Sequence, residues 1–204
     1  MIQSGLIEGE YKSGLSTLGI NRAFQSADEG INTLLLNTEY DERTLMLKCI
    51  HRLCGINPYE LHEGQSKEDE AKILSAVKYL KNAPIKFFHI EPPTEDTLDA
   101  LHEFINKVIE VGDKFIQLHG IKHIIVDRIP SNEYFIVIRE LKGHFLPRNI
   151  ALTLLKTGIK GTPLHFEPFN YDSQFHHIEV FDGNKLIDYI PSYHEISESE
   201  QDYE

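Results

Sequence analysis

Gly9-Glu10-Tyr11-Lys12-Ser13-Gly14-Leu15-Ser16-Thr17 lies between a short apolar segment and a run with helical spacing. It follows the phosphate-loop pattern G-x-x-x-x-G-K-[ST] at Gly9, Gly14 and Ser16, and breaks it at the lysine position, which holds Leu15. In an intact loop, backbone N–H groups cradle the phosphates, the lysine reaches the β- and γ-phosphates, and the hydroxyl binds magnesium. Leucine removes the charge and offers no donor. The stretch is either an NTPase loop that has lost its chemistry or an imitation of one.

The flanking segments favour the first choice. Ser4 to Ile7 reads as a strand and Leu15 to Ala27 as a helix, so the loop opens a helix whose N–H groups and dipole favour an anion. Thr33 to Asn37 is a nearly unbroken apolar run, the pattern of a strand buried on both faces. Asp41 to Leu53 reads as a helix. Ser66 opens another, with Ile73, Leu74, Val77 and Leu80 as its buried stripe, and Ile85 to Ile90 follows as a strand. Thr94 is expected to cap a long helix that stops at Gly120, and His123 to Asp127 is a hydrophobic strand ending in an acid. Strands alternating with helices predict an α/β fold, a mainly parallel sheet with helices on both faces. From Asn149 the pattern changes. Ile150 to Leu155, Pro163 to Phe166, Gln174 to Phe181 and Lys185 to Ile190 read as strands, with a hairpin signal at Asp182-Gly183-Asn184, so the C-terminal end is an antiparallel extension.

The chain has 204 residues, the size of one domain, here residues 1–192, followed by an acidic tail at 193–204 whose composition favours disorder. Net charge is −12 with histidines neutral, which argues against a standalone grip on nucleic acid. No apolar run approaches the ~20 residues that cross a bilayer. The N-terminus lacks the regions of a signal peptide, and the two cysteines, Cys49 and Cys54, read as buried free thiols rather than as half of a zinc site. The expected location is the cytoplasm. His165, His176, His177 and His194 read as surface or interface histidines, although Glu167 and Glu179 could complete a metal site with two of them.

Two carboxylates fall where nucleotide chemistry needs them. Glu39 lies just past the second strand, where it could orient or activate water, and Asp127 ends a strand, as an acid that holds magnesium does.

In this order the residues resemble the RecA-like ATPase domain of DnaB-type replicative helicases, a P-loop NTPase fold. Gly9 to Asn21 is similar to that family's G-R-P-G-M-G-K-T-x-x-A-L-N, Leu34 to Asp41 to its S-L-E-M-S strand end, Thr97 to Leu101 to its T-x-x-E-I run, and Ile125 to Ile129 to its I-V-I-D-Y-L. Lys156 to Phe166 and Ser173 to Phe175 are similar to its closing K-N-R-x-G-x-T-G…L-x-F…R-F segment. The resemblance spans about residues 4–190. It implies Glu39 as the catalytic glutamate, Gly9, Lys12, Ser13, Gly14, Ser16 and Thr17 around a nucleotide, and Ser16 with Asp127 on magnesium, with ATP and Mg2+ as ligands. It also implies similar subunits or replication proteins as partners.

The departures matter equally. Leu15 replaces the loop lysine, and Gly158 falls where the K-x-R arginine belongs. Only a short stretch joins Asp127 to the closing strands. Ile150 to Leu155 either belongs to that closing segment or is the sensor strand, with Leu154 in place of its glutamine; both registers stay open. Lys12 could fold towards the phosphates, but if Lys12-Ser13 is read as the K-S pair, Tyr11 replaces the glycine. A charge-assisted contact to phosphate contributes about 1.5–3 kcal/mol, so its loss weakens binding roughly ten- to a hundredfold. The expectation is a non-catalytic or weakly nucleotide-binding assembly module; the competing reading is an active NTPase in which Lys12 or a partner's residue replaces the lysine.

Overall fold

The computed structural model describes residues 4–9, 14–56, 66–95, 97–130, 134–158, 160, 165–169, 178–182 and 185–189. Lys12, Ser13, His176, His177, His194 and the acidic tail lie outside the described residues.

Five parallel strands form the centre of the sheet. They are β1 (Gly5–Gly9), β2 (Thr33–Asn37), β3 (Ile85–His89), β4 (His123–Ile129) and β5 (Ala151–Thr157), ordered β3-β2-β4-β5-β1. Antiparallel strands β6 (His165–Pro168), β7 (Ile178–Asp182) and β8 (Lys185–Tyr189) continue from β1, as the change of pattern after Asn149 predicts. Every residue of β2 is buried, which explains why its sequence shows no alternation.

The helices are α1 (Leu15–Asp28), α2 (Glu42–Cys54), α3 (Lys67–Asn82), α4 (Leu98–His119) and α5 (Tyr134–Phe145). One core cluster joins Leu34, Leu36, Ile124, Val126, Leu152 and Leu154 to α4 and α5. The other joins Ile7, Leu35, Ile125 and Leu155 to α1, α2 and α3. Alternate residues of each central strand thus serve opposite layers, the arrangement of a sheet covered on both faces.

Three expectations are corrected. The cap of α4 is Thr97, which accepts from the Ala100 N–H at 3.2 Å, and not Thr94. On α3, Leu74 and Val77 are exposed while Ala76 and Leu80 are buried, because α3 packs on α2 and presents only a narrow stripe to the core. The stretch after Asp127 is not a bare connection. It carries α5, whose Val137, Leu141 and Phe145 are fully buried at four-residue spacing.

Close approach of α4 to the sheet depends on Gly112. A Cβ there would stand 2.7 Å from Phe145 Cζ and 3.2 Å from Ile124 Cδ1. Phe145 is fully buried and has nowhere to retreat. Gly112→Ala therefore destabilises the fold by about 1–2 kcal/mol in urea unfolding, overpacking outweighing the gain in helix propensity of about 1 kcal/mol.

Candidate functional site

The order of the central strands decides where a site can form. The chain leaves β1 into α1 and returns at β2, beyond β5 and β4. Loops at the carboxyl ends of β1 and β4 consequently diverge, and the crevice between them is where open α/β sheets bind ligands.

Gly14 introduces α1 with φ +91, a left-handed conformation that favours glycine although a Cβ would meet nothing within 4 Å. Helices α2, α3 and α4 are capped by the side chains of Asp41, Ser66 and Thr97 and carry acids in their first turns. Helix α1 has neither a side-chain cap nor an acid in its first turn. Its N-terminal N–H groups and its dipole favour an anion there.

Ser16 lies one residue into α1. Its Oγ is 3.3 Å from Asp127 Oδ1 and 3.5 Å from Glu39 Oε2, so the loop hydroxyl and the two carboxylates named from the sequence meet in space. Thr17 is exposed, one residue further round the helix. Gly9 closes β1 opposite Thr157, and its carbonyl accepts from the Gly158 N–H at 2.8 Å.

The end of β2 is built to present Glu39. Asn37 Oδ1 accepts from the N–H groups of Glu39 and Tyr40 at 3.1 and 3.3 Å, while its Nδ2 donates to the Tyr40 carbonyl, which holds the turn. Thr38 Oγ1 lies 3.0 and 3.2 Å from the carbonyls of Asp127 and Arg128, tying that turn to β4. Burial and a hydrogen bond to Glu39 push the Tyr40 hydroxyl up to about 12.

Asp127 is almost completely buried. Desolvation raises its carboxyl to about 6, against the opposing hydrogen bond from Ser16 and the charge of Arg128. A carboxylate held above its unfolded pKa contributes stability below that pKa, near 3.8, which is lost as pH rises through 6. Asp127→Asn removes this burden. It is expected to stabilise the protein by about 2–3 kcal/mol at pH 7 and by almost nothing at pH 4, measured by urea unfolding at both values.

Leu15 does not face the crevice as a lysine would. It is 4% exposed and belongs to the core cluster of Ile7, Leu35, Ile125 and Leu155. Lys156, next to the loop on β5, is paired with Glu8 at 2.8 Å and lies over the Tyr134 ring. Gly158 continues the pairing of β5 with β1. Strand β5 itself lies between β4 and β1 with Leu154 fully buried, so the position discussed for a sensor glutamine carries a core side chain.

Sequence reasoning passed over Asn37 and Arg128. The signal for Asn37 was a strand ending in a residue that favours Asx turns; for Arg128 it was a cation directly after the strand-end acid. Arg128 Nη2 pairs with Glu39 Oε2 at 2.7 Å. Both side chains line an open cleft of about 960 Å3 with Thr38, Tyr134, Phe135 and Thr157.

An all-oxygen set of carboxylates and a hydroxyl suits a hard cation such as magnesium. Asp127 and Ser16 would hold it beside the head of α1, where it would neutralise phosphate charge. No group of three or more metal-ligating His, Cys, Asp or Glu side chains occurs among the described residues, so any such ion would need the hydroxyl and ligand oxygens as well. Cys49 is a buried free thiol pushed up to about 12 by burial, and Cys54 is free and half-buried.

No protein-family model and no curated protein matches the chain in sequence. Solved structures match it in fold. One, described as a DnaB-like replicative helicase with its interactions with primase, aligns at TM-score 0.59 and 15% identity over 76% of this chain. The chain spans 38% of that protein's length. A second, described as the ATPase domain of another helicase, aligns at TM-score 0.60 and 12% identity, over 90% of this chain and 78% of that domain. The chain has the RecA-like ATPase-domain fold found in DnaB-type helicases. No described helix is long and apolar enough to cross a membrane.

Proposed function

We propose that the chain is a RecA-like module of DNA replication or recombination that binds magnesium nucleotide weakly, hydrolyses it slowly or not at all, and works by assembling with similar subunits or replication proteins. The observation that carries this reading is the meeting of Ser16, Glu39 and Asp127 around the head of α1 while Leu15 is turned into the core. Oxygen ligands for the ion are present; the lysine that would meet developing charge on the phosphates is replaced. The net charge of −12 favours protein partners over a direct hold on nucleic acid. The helicase of similar fold is described with primase, which supports looking for partners among replication proteins.

An ATP-turnover assay with magnesium tests the chemical half of the reading. Hydrolysis at or near background is expected, and brisk turnover by this chain alone would overturn it. Light scattering tests the assembly half, with a complex expected either with further copies of the chain or with a replication protein of the same source. A monomer under every such condition would count against it.

A further inference from the structure

Arg128 is one of two non-glycine residues among those described with positive φ, here 66, and it lies in an irregularity of β4 between Val126 and Ile129. A left-handed arginine costs about 1 kcal/mol or more and persists where the surroundings enforce it, commonly at functional sites. The irregularity lets consecutive residues reach the same end of the sheet. Asp127 meets Ser16, and Arg128 meets Glu39. One oxygen, Glu39 Oε2, contacts both Ser16 Oγ at 3.5 Å and Arg128 Nη2 at 2.7 Å. The guanidinium therefore stands one carboxylate oxygen away from the hydroxyl that closes the phosphate loop.

We propose that Arg128 supplies, from within the same chain, the cation that the loop has lost at Leu15, and that it binds the terminal phosphate of a nucleoside triphosphate in exchange for Glu39. This role for Arg128 rests on the nucleotide reading above. The planar fork of arginine matches the oxygens of a phosphate in pairs. Arg128 and Glu39 are each 23% exposed, so water screens their exchange only in part. Release of Arg128 also frees Glu39 to face whatever lies beyond that phosphate. A diphosphate lacks the terminal group and gains nothing from the exchange, so Arg128 makes the site distinguish triphosphate from diphosphate.

The test is calorimetric titration with magnesium and either a non-hydrolysable ATP analogue or ADP. The proteins are the wild type, Arg128→Gly, Arg128→Lys and Glu39→Gln. Glycine suits φ 66, so Arg128→Gly keeps the backbone and is expected to unfold at or above the wild-type temperature. Its affinity for the triphosphate analogue is expected to fall about tenfold, a charge-assisted contact of about 1.4 kcal/mol, with ADP changed less than about twofold. Lysine restores part of the loss. Glu39→Gln, by releasing the guanidinium, tightens the triphosphate analogue and leaves ADP unchanged, which a merely structural ion pair would not do. If the wild type binds both nucleotides and Arg128→Gly alters neither, or weakens both alike, the role of Arg128 is overturned and the loop reading stands. If the wild type binds neither, the nucleotide reading fails and the role of Arg128 fails with it.

Discussion

Leu15→Lys is expected to destabilise the protein by about 2–5 kcal/mol and to leave ATP turnover at background. The leucine is a core side chain packed with Ile7, Leu35, Ile125 and Leu155, at the first position of α1. A lysine that stayed in this place would hold an amine in an apolar setting and, if charged, set a cation against the positive end of the helix dipole. A lysine that turned out towards the crevice would leave a cavity of leucine size, which costs a similar amount. Restoring the motif letter thus harms the fold before it helps the chemistry. Urea unfolding and a turnover assay on the same preparation check both parts. A variant as stable as the wild type that hydrolyses ATP briskly would mean that the loop is intact apart from one residue.

The second large effect is on acid stability. His123 opens β4 and is fully buried; its Nδ1 lies 2.7 Å from Ser26 Oγ on α1 and its Nε2 lies 2.9 Å from Thr153 Oγ1 on β5. Ser26 Oγ also donates to the Arg22 carbonyl at 2.9 Å, so a neutral ring satisfies the group: it donates to Ser26 and accepts from Thr153. Burial, with a smaller repulsion from Arg22, holds the ring down at about 3. Its folded pKa lies below the unfolded value of 6.5, so the stability it contributes is present above 6.5 and lost as pH falls towards 3. The slope is about 1.4 kcal/mol per pH unit, and the full loss approaches about 4–5 kcal/mol. Asp127 works in the opposite direction between 6 and 3.8, because its folded pKa is raised. In the wild type the two nearly cancel over that interval. In Asp127→Asn the His123 slope stands alone, and urea unfolding at pH 6, 5 and 4 is expected to show a steep decline that the wild type lacks. Adding His123→Asn to Asp127→Asn is expected to flatten it again. Parallel declines in wild type and Asp127→Asn would contradict this assignment.

The strands of the sheet were legible because each carries its apolar run between clear breakers, and three site residues were legible because strand ends and loop glycines leave short-range marks. Ser16, Glu39 and Asp127 stand where such marks place them, and Gly14 introduces their helix. Less visible was α5. Its opening, Tyr134-Phe135-Ile136-Val137-Ile138, has the aromatic and β-branched composition of a strand, and only the four-residue spacing of Val137, Leu141 and Phe145 betrays the helix that packs on α4. Exposure of Leu74 and Val77 was not legible, because an apolar stripe says nothing about whether its partner is a sheet or one narrow helix. The pairing of Arg128 with Glu39 joins strands separated by α2, α3, β3 and α4, and its backbone sits in a conformation that no local propensity favours. Leu15 could be recognised as a missing lysine from the sequence; that it is also a core residue is a tertiary fact.

The most direct measurement is a calorimetric titration with ATP, in magnesium and in EDTA, of the wild type and Asp127→Asn. The predicted result is a saturable heat from the wild type at millimolar ATP with magnesium, lost in EDTA and lost in an Asp127→Asn protein that is folded and more stable at pH 7. Absence of heat from the wild type at millimolar ATP, or identical titrations for the two proteins, would contradict a phosphate and metal site at the head of α1.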